Sequence, residues 1–534
     1  MTFSKPNASA ATLTRNRVSP SPVSGICVTC LDGCIGFCEV GKSALRARET
    51  IYPQPFSKVT TGSEKDYPID FSHFNVHGSC VGAQGIEADS DKALFQNVDV
   101  STVLGKNRDK IKMKVPFMTG ALGSTEIARV NWEGAAVASA ICGSAIVCGE
   151  NVAAMDSQAE FKNGKVVNSP ELARRVKQFQ DWYDGYGLLL IQANVEDTRL
   201  GVHEYVVEKL GVQGVEIKWG QGAKDIGGEV KLPSIERAKL LKDRGYVVFP
   251  DPDDPVVKEA WKAGVFSEFE RHSRLGMVEE ESFLNYVKHL RNVGAKYITL
   301  KTGAYRPRDL ALAVKLASEA RLDLLTVDGA SGGTGMSPWR MMNEFGVPTV
   351  ELECLLYQML KKLDEQGEFV PSVAMAGGMS LEDHIFKAIA LGAPYIQAIA
   401  LGRATLTAAM VGKTNGEKLL RENADAKAYE EAFNKAFVNI GALKQKYGKN
   451  FNRIPASAIG VYNYYERLST GLQQFMAGER KFKLNLIDRN DITALTREAA
   501  EISGISYIMD ADKEEIAKIL GGTRKRTTRA AKKS

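Results

Sequence analysis

From Val115 onward the chain repeats one pattern: a short apolar run, a glycine-bearing or polar loop, then a stretch with apolar residues at helical spacing. The apolar runs fall at 115–121, 144–148, 187–192, 214–218, 297–301, 323–328, 372–376 and 395–399. Helices are predicted at 170–183, 202–210, 234–243, 307–320, 351–363 and 381–391. Strands alternating with helices imply a parallel sheet. Eight such units predict a closed (β/α)8 TIM barrel of the α/β class rather than an open, doubly wound sheet. The longer gap at 250–280 opens with P-D-P-D-D-P and a charged helix, and reads as an insertion.

Around the barrel, assigned to 113–412, the pattern changes. Residues 1–25 are rich in Ser, Thr, Asn and Pro, and the first acid is Asp32. This predicts a disordered arm, with a transit peptide as the alternative. Segment 26–112 holds a cysteine run and an extended lead-in. His73 and His77 within it stand among Asp, Ser and Asn, which suggests a loop rather than a metal pair. Segment 413–520 reads as a polar helical extension, including a helix starting near Asp491, and 521–534 as a basic disordered tail.

Composition narrows the class. With 534 residues, 44% apolar and 25% charged, the chain reads as soluble and globular. The run from Gly134 to Gly149 comes nearest to a membrane span, but it is made of small residues and broken by Ser139, Cys142 and Ser144. The net charge of +5 is concentrated in six Lys/Arg of the last eleven residues, leaving about −1 elsewhere. That tail reads as a solubilising end, or a weak handle for nucleic acid or an acidic partner. No aromatic-studded basic face points to nucleic acid as the main partner.

Candidate chemistry collects where the strands end, the face on which such barrels build their active sites. The first strand ends in Thr119-Gly120-Ala121, the second in Cys148-Gly149-Glu150-Asn151 and the fifth in Lys301. The sixth ends in the glycine-rich run from Asp328 to Gly335, the seventh in Ala376-Gly377-Gly378, the eighth in Leu401-Gly402-Arg403. The last two suit a phosphate, with backbone donors at a helix start. The fourth strand, carrying Glu216 and Lys218, runs into a loop with four glycines, Gln221, Lys224 and Lys231, which suits a small anion. A lysine-bearing turn in solvent is the plainer alternative.

Four of eight cysteines lie within twelve residues: Cys27, Cys30, Cys34 and Cys38, spaced C-x2-C-x3-C-x3-C. Disulfides at such spacings would be strained. Four thiolates in one run favour an iron–sulfur cluster over zinc, whose ligands come in separated pairs, or over unligated thiols. A cluster implies a reducing compartment, hence the cytoplasm, and electron transfer. The same segment matches the phosphate-loop pattern from Gly36 to Ser43, but no strand leads into it.

Four stretches carry a resemblance. E-I-K-W-G-Q-G-A-K (216–224), G-G-T-G-M-S-P (332–338) and M-A-G-G-M (375–379) with A-L-G-A-P-Y-I (390–396) resemble the flavin-binding synthase domain of the glutamate synthase family. The resemblance implies FMN and a 4Fe-4S cluster as cofactors. It also implies reductive amination, in which reduced FMN delivers hydride to the imine formed from 2-oxoglutarate and ammonia, giving glutamate. On it, Lys218, Gln221 and Lys224 match the substrate loop and Glu150 an acid of the same pocket, taken here as the proton-handling group. Gly332, Gly333, Thr334, Gly377, Gly378, Gly402 and Arg403 match the flavin loops, with Thr119, Gly120 and Ala121 on the first strand. Lys301 falls where a cation would face the flavin ring.

The departures bear on partners and substrate. No cysteine occurs from Leu401 to Lys413, where the family usually carries its cluster, and the N-terminal set is the replacement expected. The loop after Lys224 is one residue longer, which leaves another keto acid or amine as the alternative substrate. No glutaminase nucleophile follows Met1, and no G-x-G-x-x-G follows a strand. Ammonia is therefore expected free or from a separate glutaminase subunit, and electrons from ferredoxin or an NAD(P)H-oxidising partner.

Overall fold

The computed structural model describes residues 32, 34–35, 38–51, 63, 65–107, 109–220, 229–330, 332, 337–423 and 425–521. Eight parallel strands close into a barrel: Phe117–Leu122, Ile146–Cys148, Leu189–Ala193, Gly214–Lys218, Tyr297–Thr302, Leu324–Asp328, Ser372–Ala376 and Ile396–Leu401. Each of the eight predicted apolar runs is one of them. The ring closes through the fourth and fifth strands, with Val215 opposite Ile298 and Lys218 opposite Lys301. That last register sets two cations side by side at one rim.

Alternation along the strands divides the core in two. Met118, Val147, Leu190, Leu324, Ala374 and Ala398 fill the barrel, while Phe117, Ile146, Ile191, Val215 and Val373 face the helices. A hairpin of Thr102–Leu104 and Ile111–Met113 sends Leu104, Ile111 and Met113 into the interior cluster. Its Lys112 carbonyl accepts from Gly187 N at 2.7 Å, just ahead of the third strand. The lead-in thus stoppers the barrel's N-terminal end, and the opposite mouth is left for chemistry.

The insertion begins earlier than its Pro/Asp signature and contains a small antiparallel sheet. Glu229–Leu232 and Val247–Phe249 both pair with Phe269–His272. The stretch after Asp491 also differs from expectation. Ile492–Ala494 is a strand paired with Phe74–Val76, and the helix starts only at Arg497. Ile492 and Thr493 are β-branched, and the waiting edge of the lead-in satisfies their backbone. At the other end, helix Glu39–Arg46 takes in Gly41, Lys42 and Ser43, while Gly36 and Phe37 lie outside the described residues.

Helix Ala456–Gly478 packs across Arg403–Glu422 and Glu126–Ile141. Small residues make this approach close. A Cβ on Gly460 would stand 2.5 Å from the Ala408 carbonyl and 2.9 Å from Gly412 Cα, and one on Gly134 2.5 Å from Ser457 Cβ. Gly134 of the 134–149 run therefore serves helix packing, the run ends in strand Ile146–Cys148, and no helix among the described residues is long and apolar enough to cross a membrane. Gly460→Leu should lower unfolding free energy by roughly 1–3 kcal/mol through overpacking. Denaturant titration checks this, and unchanged stability would mean the helices do not meet here.

Candidate active site

The strands' C-terminal ends open into a cavity of about 1750 Å³. Gly120, Ala121, Glu150, Lys218, Lys301, Gly332, Gly377, Gly378, Gly402 and Arg403 all border it. Gln221, Lys224, Gly333 and Thr334 lie outside the described residues. Thr119 does not line the cavity. Its hydroxyl bonds to Tyr465 OH at 2.7 Å and Ser139 Oγ at 3.0 Å, on the helix side of the wall. The first-strand assignment is corrected accordingly: strand alternation turns the Thr119 side chain outward, and only its glycine and alanine neighbours reach the mouth.

Two ion pairs organise the floor. Lys218 Nζ donates to Glu150 Oε1 at 2.7 Å, joining the ends of the fourth and second strands. Lys301 Nζ lies 3.1 Å from Asp328 Oδ2, joining the fifth and sixth. Burial works against the Lys301 charge, but Asp328, Glu216 and Glu150 outweigh it and raise its pKa, so it stays an ammonium. Beneath it Glu216 is buried and accepts from Gln192 Nε2 at 2.6 Å. Burial raises the Glu216 pKa, with Lys301 opposing most.

The glycines have steric reasons. A Cβ on Gly332 would come 2.4 Å from Asp328 Oδ1. Gly377 has φ +134° and would press a Cβ to 2.3 Å from Thr349 Oγ1, the hydroxyl that donates to the Gly377 carbonyl at 2.8 Å. Gly402 caps helix Arg403–Glu422, and a Cβ there would meet nothing within 4 Å. Backbone N–H groups, a helix start and a cationic guanidinium thus share one rim, the combination that a phosphate seeks. Burial pulls the Arg403 pKa down, with Asp328 opposing.

Several cavity residues escaped sequence reasoning. Asp328 was named only as the start of a loop, though a carboxylate closing a strand was a usable signal. Trp219 N donates to the Lys301 carbonyl at 2.9 Å, and Tyr305 OH to the Trp219 carbonyl at 2.9 Å, which ties the fourth strand's exit to the fifth. Arg271 arrives on the small sheet, opposite Val230, from within the stretch read as an insertion.

Of the cysteine run, Cys27 and Cys30 lie outside the described residues. Cys38 caps helix Glu39–Arg46, its Sγ accepting from Gly41 N at 3.4 Å. Just beyond that helix, Arg48 reaches Glu270 at 3.4 Å, on the strand that carries Arg271. The segment just after Cys38 thus reaches the sheet that borders the cavity. No group of three or more metal-ligating side chains occurs among the described residues.

The conserved region in glutamate synthase matches residues 271–412. The archaeal glutamate synthase (NADPH) of Archaeoglobus fulgidus is 25% identical over 359 residues, covering 65% of this chain and 61% of that protein. That of Methanocaldococcus jannaschii is 27% identical over 225 residues, covering 41% and 38%. The chain thus spans less than two thirds of the length of these relatives. Among solved structures, flavocytochrome b2 with sulfite bound aligns over 95% of this chain and 96% of its own, with TM-score 0.45 and 13% identity, too distant to carry chemistry across. Over residues 271–412 the chain is thus similar to the conserved region in glutamate synthase, and the relatives it resembles at 25–27% identity are archaeal glutamate synthases.

Proposed function

We propose that the protein is an FMN-dependent oxidoreductase that aminates 2-oxoglutarate reductively to glutamate. The observation that carries the reading is that the Lys218–Glu150 and Lys301–Asp328 pairs border the same cavity as the glycine cradle at Gly377, Gly378 and Gly402. One half of that floor suits a carboxylate substrate, the other a phosphorylated flavin.

The residues present fit FMN. Gly377, Gly378, Gly402 and Arg403 would hold its phosphate, and Lys301 would set a fixed positive charge by its ring. Cys27, Cys30, Cys34 and Cys38 are assigned to the iron–sulfur cluster. When bound, the flavin supplies hydride to the imine carbon and the cluster supplies the flavin with electrons.

The chain's own residues do the rest. Lys218 orients a carboxylate of the keto acid by a charge-assisted hydrogen bond. Glu150, held by Lys218, is placed to take and return the protons of ammonia addition and water loss. Buried Lys301 offers its charge where little water screens it, which makes it stronger than at a surface. Behind Glu150, Asp197 Oδ2 accepts from Asn151 N at 2.7 Å. Burial, with Glu150 adding, pushes the Asp197 pKa up to about 7. Ammonia, ferredoxin or another donor, and any glutaminase subunit belong to the same proposal.

Anaerobically purified protein should carry FMN and iron, and should form glutamate from 2-oxoglutarate and ammonium with a chemically reduced donor. Absence of product from flavin-loaded protein overturns the reading. Lys218→Met should raise the KM for 2-oxoglutarate roughly 10- to 100-fold, and Glu150→Gln should cut kcat by about 10²-fold or more, both in steady-state assays with flavin content unchanged. Asp197 also gives a pH prediction. The unfolded chain releases its proton near 3.8 and the folded one only near 7, so folding loses stability as pH rises between them. The stability advantage of wild type over Asp197→Asn should therefore shrink from pH 4 to pH 7 in urea titrations, and parallel pH profiles would contradict the burial effect.

A further inference from the structure

Arg271 is 2% exposed and borders the cavity from strand Phe269–His272. Its guanidinium stands 4.8 Å from the centre of the Tyr246 ring. Tyr246 OH donates to Asn151 Oδ1 at 2.7 Å, and Asn151 follows the Glu150 that grips Lys218. The arginine is thereby held near the proposed substrate end of the cavity. Yet its Nε and Nη1 are buried with no hydrogen-bond partner among the described residues. Other cations of the cavity each have an acidic partner: Arg274 has Glu196 at 3.0 Å, Lys218 has Glu150 at 2.7 Å and Lys301 has Asp328 at 3.1 Å. Asp197 is close enough to feel the Arg271 charge, but one of its oxygens is taken by Asn151 N, and no ion pair joins the two.

Donors of a buried guanidinium are costly to leave unmade. A charged guanidinium with two unmade N–H donors suits a carboxylate, whose oxygens accept charge-assisted hydrogen bonds. We propose that Arg271 binds the second carboxylate of the substrate, the one distant from the keto carbon, and so makes this cavity selective for diacids. The inference rests on the keto-acid reading above and adds the residue that sets chain length and charge.

The test is equilibrium binding to the flavin-loaded protein, by calorimetry. Its ligands are 2-oxoglutarate and glutarate as diacids, and 2-oxobutyrate as a monoacid. Arg271→Gln and Arg271→Lys should weaken both diacids roughly 10- to 100-fold while changing the monoacid less than about 2-fold, with melting temperatures recorded to confirm folding. A double variant, Arg271→Gln with Asp197→Asn, separates ligand binding from charge balancing. The proposal expects it to stay weak for diacids. Recovery of diacid binding in the double variant, equal loss for monoacid and diacid, or no loss at all would overturn the role of Arg271, as would a wild type that binds no diacid. Arg271-dependent diacid binding without glutamate formation would uphold the inference while the proposed reaction falls.

Discussion

A lysine and an aspartate that leave water together, Lys301 and Asp328, constrain everything around the barrel mouth. A buried charge persists only when paired and hydrogen-bonded. These two come from adjacent parallel strands, Lys301 opposite Thr326 and two residues short of Asp328's level, so sheet register brings them within reach. Glu216 approaches from the fourth strand and Arg403 from beyond the eighth, and both respond to the same pair. Asp328 in turn leaves no room for a Cβ at Gly332. One ion pair therefore dictates a neighbouring loop's composition as well as the electrostatics of the floor.

The rest of the chain isolates this charge. Leu104, Ile111 and Met113 of the lead-in hairpin fill the far end of the barrel with apolar side chains. Tyr465, on the long C-terminal helix, bonds Thr119 and Thr405 through its hydroxyl, tying the first strand to the helix after the eighth. With one end stoppered and the wall buttressed, the polar groups have a single mouth at which to meet ligands. The small sheet adds a side wall to that mouth, and the short turn after helix Glu39–Arg46 reaches the sheet through Arg48 and Glu270.

The barrel was legible because its strands are apolar runs punctuated by glycine, and period and punctuation are local signals. Lys218, Lys301, Gly377, Gly402 and Arg403 were legible for the same reason: each sits within a residue or two of a strand end. Thr119 failed by parity, since neighbouring strand residues face opposite ways and nothing local said which faced the mouth. Arg271 was hidden because its placement depends on pairing with Val230, forty-one positions earlier, across a sheet with no periodic signature. The strand at Ile492–Ala494 was hidden likewise, its partner lying at Phe74–Val76 near the opposite end of the chain.

The central claim is that cofactor and diacid share one cavity, with the flavin ring beside Lys301 and the substrate on Lys218. The most direct measurement is the difference absorption spectrum of oxidised, FMN-loaded protein as 2-oxoglutarate is added. The account predicts a saturable shift of the flavin bands that is lost in Lys218→Met. A flavin spectrum indifferent to 2-oxoglutarate, or a shift that survives the loss of Lys218, would contradict it.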